Sequence, residues 1–136
     1  MGRLTFEELE IGEELPEVKP DVSMPRVREF CKSAGHYFDR FIDHEKARKQ
    51  GLESAIVPGI MSQALLAAII HGWGKDVTVE SIDTVFRAPI PVDSHPRFRG
   101  VVTDVQPETR TAELDLTIVN DAGETRVMGT ARVRFP

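Results

Sequence analysis

The chain has 136 residues, of which 40% are hydrophobic and 29% charged, and its formal net charge is −5. That length suits one domain, 1–136, with a core able to fold without disulfides or metal, and the lone cysteine, Cys31, excludes an internal disulfide framework. The acidic balance and the lack of a Lys/Arg run give no case for nucleic acid or an anionic membrane as partner, and the longest apolar stretch, Ala64 to Ile70, is too short to cross a bilayer.

The opening residues are acidic and lack the apolar core of a signal peptide, so a cytoplasmic setting is expected. Thr5 to Leu9 reads as a short turn before Gly12. Ser23 is a suitable N-cap for a helix with Pro25 in its first turn; Val27, Phe30, Cys31 and Ala34 line one stripe, and Gly35 ends it. His36 to Leu52 is polar and irregular, with one helical turn expected over Glu45 to Lys49. Pro58 and Gly59 open a second helix, expected to run to about His71 and stop at Gly72. It is apolar on nearly every face, which predicts burial.

The second half reads as strands. Val77, Val79, Ile82, Val85 and Phe86 precede a stop at Ala88 and Pro89, and Phe98 to Val105 lies between two prolines. Ala112, Leu114, Leu116 and Ile118 alternate with polar residues, as do Val127, Gly129, Ala131 and Val133. Asn120 to Gly123 carries turn chemistry between them and predicts a hairpin. Helices first and strands second indicate an α+β domain: a curved antiparallel sheet wrapped around one buried apolar helix, the hot-dog arrangement.

Three segments resemble the MaoC-like family of (R)-specific enoyl-CoA hydratases and 3-hydroxyacyl dehydratases. They are Thr5 to Pro16 (TFEELEIGEELP), Ser33 to Leu66 (SAGHYFDRFIDHEKARKQGLESAIVPGIMSQALL) and Val85 to Ser94 (VFRAPIPVDS). The family motif reads Gly-Asp-x-Asn-Pro-x-His, followed by Asp, an acidic residue and Ala. Here Gly35, Asp43, Glu45 and Ala47 match the frame. The catalytic aspartate position holds His36, the asparagine position Phe38, the proline position Asp39 and the catalytic histidine position Phe41.

The resemblance implies an acyl thioester, carried by coenzyme A or acyl carrier protein, and a homodimer or a heterodimer with another MaoC-like chain. No cofactor is expected, and with one cysteine and no metal-ligand spacing among the histidines no metal is expected either. Gly59 matches the family's oxyanion-hole glycine, where helix-terminal amides meet the developing enolate oxygen. Pro58 and Gly59 equally suit a plain tight helix start.

A phenyl ring neither donates nor accepts a proton, so Phe41 removes the usual two-residue mechanism. Tyr37, Phe38, Asp39 and Phe41 are expected to line a substrate pocket or plug a redundant one. His36 is the remaining candidate base, to be oriented by Asp39 or Asp43; the alternative is a solvated loop histidine. Four readings follow from the resemblance: a non-catalytic or atypical subunit paired with a chain bearing the Asp and His, an active homodimeric hydratase rewired around His36, an acyl-thioester-binding protein without turnover, and a hot-dog thioesterase. The remaining histidines lack metal-ligand spacing. His71 reads as a helix-end residue, His95 as part of a turn, and Cys31 as inert core.

Overall fold

Alternating apolar residues drive the second half into a sheet. The computed structural model describes residues 2–136. Its strands are β1 (Thr78–Phe86), β2 (Arg97–Gln106), β3 (Thr111–Val119) and β4 (Thr125–Arg134), in one four-stranded antiparallel sheet of order β1-β4-β3-β2. Along β3, Ala112, Leu114, Leu116 and Ile118 are buried while Glu113 and Asp115 face solvent. The expected hairpin pairs Ile118 with Val127 and Leu116 with Gly129. At its turn the Asn120 side-chain oxygen accepts from the amides of Ala122 (3.1 Å) and Glu124 (2.8 Å). Gly129 serves a close approach: a Cβ there would lie 2.7 Å from the Asp83 carbonyl oxygen of β1.

The helices are α1 (Met24–Ala34), α2 (Asp39–Ile42), α3 (His44–Lys49) and α4 (Gly59–Trp73). Ser23 occupies the N-cap position of α1 and Gly35, at φ 72°, ends it in the left-handed region. Thr5 caps a 3-10 turn, Phe6–Glu8, through a reciprocal capping box with Glu8. Two boundaries differ from expectation. The segment read as irregular contains α2, a single turn, and α4 continues through Gly72 to Trp73. Trp73 is buried edge-on against Phe135, with ring centres 5.9 Å apart; that contact offsets the cost of a glycine inside a helix.

The sheet curls over α4, which buries Met61, Ser62, Leu66, Ile70 and Trp73. On the opposite side Ala64 and Ala68 remain exposed, at small cost because a methyl group carries little apolar area. The two sheet edges differ. The outer edge of β2 is covered by the chain's beginning, where the amides of Gly12, Leu15 and Val18 donate to the carbonyls of Val102 (2.7 Å), Gly100 (2.9 Å) and Phe98 (3.0 Å). Among the described residues nothing pairs with the outer edge of β1.

Candidate functional site

The segment before α4 is held on two sides. Ile56 donates its amide to the Arg40 carbonyl of α2 (2.9 Å), Val57 to Ile90 (2.8 Å), and Val92 returns one to Ala55 (2.9 Å). These bonds bring three distant stretches together: the loop carrying His36 to Phe41, the residues leading to Gly59, and the chain following β1. Beside Gly59 they leave a cleft of about 320 Å³ lined by Ile56, Val57, Ser62, Phe86 and Ile90 among others. Gly59 has a packing role here too, since a Cβ would meet the Phe86 ring at 3.1 Å. The first amides of a helix lack intrahelical acceptors, and in α4 the first carbonyl to receive a bond is that of Pro58, from Met61 (3.0 Å) and Ser62 (3.1 Å).

The loop residues divide by burial. Phe41 is buried, 7% exposed, whereas Tyr37 and Phe38 are 53% and 52% exposed. Phe38 meets the rings of His36 and Phe41 edge-on, at 6.0 and 6.2 Å, and the Arg40 guanidinium lies 5.0 Å from the centre of Phe41. The imidazole of His36 sits with Nδ1 3.3 Å from the Ala34 carbonyl oxygen, which makes Nδ1 the donor and leaves Nε2 as the acceptor.

The carboxylates expected to orient His36 are engaged elsewhere. Asp39 faces Lys46 (3.8 Å), and Asp43 caps α3 by accepting the Lys46 amide (2.9 Å). That bond, first among its causes, holds the Asp43 carboxyl below the usual range. The frame position Asp43 thus starts a helix; it does not orient a base.

Sequence reasoning missed the pairing of His44 with Asp93. His44 Nδ1 accepts the Ala55 amide (3.1 Å), so Nε2 carries the proton and donates to Asp93 Oδ2 (2.8 Å). The other oxygen of Asp93 accepts the Met24 amide at the start of α1 (2.7 Å). The His44 bond first, then that of Met24, lowers the Asp93 carboxyl. With both ring nitrogens occupied, His44 is a tie between α1, α3 and the segment before Gly59. Spacing gave no signal for it, because its partners lie far apart in the chain.

Cys31 is fully buried, and burial raises its thiol, as an inert core position requires. His71 is exposed at the last turn of α4, and the His95 amide donates to Asp121 in the turn between β3 and β4. Among the described residues no group of three His, Cys, Asp or Glu side chains could hold a metal ion, and no helix is long and apolar enough to cross a membrane.

No family model matches the sequence, and no curated protein matches it. Solved structures do. The (R)-hydratase from A. caviae involved in PHA biosynthesis superposes with a TM-score of 0.89 at 21% identity, over 96% of this chain and 99% of that one. The ChsH1-ChsH2 complex from Mycobacterium tuberculosis matches with a TM-score of 0.85 at 21% identity, over 93% of this chain and 98% of that one. A MaoC-like dehydratase reaches 0.88 at 25% identity; 99% of this chain is covered but only 43% of that longer one. In its fold, then, this chain is a hot-dog protein of the form shared by MaoC-like (R)-hydratases and dehydratases.

Proposed function

We propose that this chain is a non-catalytic MaoC-like subunit that pairs with a MaoC-like chain bearing an intact Asp and His, and helps to shape an acyl-thioester site at their interface. The observation that carries this reading is Phe41: at the position matching the family's catalytic histidine the side chain is apolar and buried. Among the described residues His36, at the aspartate position, has no carboxylate partner. Two acid–base groups that each contribute about 100- to 10,000-fold are therefore replaced.

Two features favour a heteromer over a solitary binding protein. The unpaired β1 edge is flanked by exposed Val85, Phe86 and Met128, with Ile60 exposed at the start of α4, and exposed apolar surface of this kind marks an association site. A two-component assembly, ChsH1-ChsH2, has a similar fold. In the paired form Gly59 would offer helix-terminal amides to the thioester carbonyl, while Tyr37 and Phe38 would line the acyl pocket. The lone buried thiol agrees with a cytoplasmic setting.

Coexpression with a dyad-bearing MaoC-like chain from the same organism tests the proposal. A stable one-to-one complex is expected, its enoyl-CoA hydration abolished by alanine at the partner's catalytic histidine and unchanged by His36→Ala in this chain. A self-sufficient homodimer whose activity disappears with His36→Ala would instead establish the rewired hydratase.

A further inference from the structure

Ser62 is a residue no motif singled out. It lies in the fourth position of α4, one turn after Gly59 and on the same side of the helix, and it lines the cleft beside Gly59. It is 1% exposed, yet its hydroxyl has no hydrogen-bond partner among the described residues. A helix-interior serine ordinarily bonds back to the carbonyl four residues earlier. Here that carbonyl, of Pro58, already receives the amides of Met61 and Ser62. An unpaired buried hydroxyl is costly to keep, and the rest of the cleft wall is largely apolar: Ile56, Val57, Phe86 and Ile90.

We infer that Ser62 is a specificity-determining residue, whose hydroxyl recognises an oxygen on the third carbon of an acyl thioester bound with its carbonyl at Gly59. This rests on the reading of Gly59 as a carbonyl site. The spacing supports the assignment: three residues of helix advance about 4.5 Å, the kind of step that leads from a thioester carbonyl to a substituent on its third carbon. A 3-hydroxyl can accept from or donate to a serine hydroxyl, whereas a saturated chain leaves the serine unpaired. Phe86 forms the outer wall of the cleft, its ring packed over Gly59.

Calorimetric titration of the full chain, alone and paired with a dyad-bearing partner whose catalytic histidine is replaced by alanine, with 3-hydroxybutyryl-CoA and with butyryl-CoA tests the inference. The wild type is expected to bind the hydroxyacyl ligand about three- to tenfold more tightly, the ratio that one neutral hydrogen bond provides. Ser62→Ala should weaken 3-hydroxybutyryl-CoA binding about three- to tenfold and so erase the preference, and Ser62→Thr, which keeps the hydroxyl, should retain it. Equal affinities in the wild type, or a preference that survives Ser62→Ala, would overturn the role of Ser62 and leave the thioester site standing. No binding of either ligand would overturn both.

Discussion

Phe41 supplies core, and in the proposed reading it also stands where a proton carrier would be. With 7% of its surface exposed, truncation leaves a cavity under Arg40, and Phe41→Ala should lower stability by about 3–5 kcal/mol in urea denaturation. A loss below 1 kcal/mol would mean that the ring is not packed as described. Ser62 predicts the opposite sign. Ser62→Ala removes an unpaired buried hydroxyl and introduces the best helix former, so the variant should be more stable by about 0.5–1 kcal/mol. A lower melting temperature would show the hydroxyl to be bonded in the folded chain. Asp93 adds a dependence on pH. Its carboxyl is lowered in the folded state by His44 and the Met24 amide, so the stabilisation is present above the unfolded value of about 4 and lost as pH falls through the folded one. Asp93→Asn should therefore reduce stability at pH 6 and flatten the acid limb of the melting curve below about pH 4; an acid limb identical to the wild type would remove Asp93 from that role.

At the scale of elements, what sequence reveals follows the length of the pattern. β3 and β4 alternate over nine and ten residues, and α1 has a stripe, an N-cap and a terminal glycine; all three were legible. The helix α2 was not, because four residues give a single turn and no period to detect. The residues covering β2 were equally hidden, since Glu13, Glu14 and Glu17 carry no strand pattern and the segment is recruited by β2. Beside the cleft, Gly59 was legible as the start of a helix, while the burial of Ser62 and the His44–Asp93 tie depend on which surfaces the fold brings together. The β1 edge carries its own prediction. Val85 is 65% exposed, so Val85→Lys should change the stability of the isolated chain by less than about 0.5 kcal/mol. A lysine on an open edge opposes strand pairing and apolar contact, so sedimentation velocity should show association weakened at least tenfold, roughly 1.4 kcal/mol. Undiminished association would place the interface elsewhere.

For the whole molecule, the proposed function separates the scaffold from the reactive groups. The curled sheet, the apolar α4 and its Gly59 end are those of a fold seen in hydratases, and a TM-score of 0.89 across almost the full chain makes that likeness global. Fold likeness does not bring chemistry with it, because catalysis depends on positioned groups. If His36 and Phe41 stand at the two reactive positions, as proposed, the purified chain should hydrate an enoyl-CoA no faster than about 1/100 of a dyad-bearing relative assayed alongside, since loss of even one acid–base group costs that much. The measurement is the loss of enoyl absorbance at saturating substrate. Turnover matching the dyad-bearing protein would mean that another group has taken over proton transfer, with His36 Nε2, the acceptor left free by the Ala34 contact, as the first position to mutate. Background turnover from the chain alone, together with full turnover on adding the dyad-bearing partner, would locate the chemistry in the partner and leave this chain to form the second half of the acyl site.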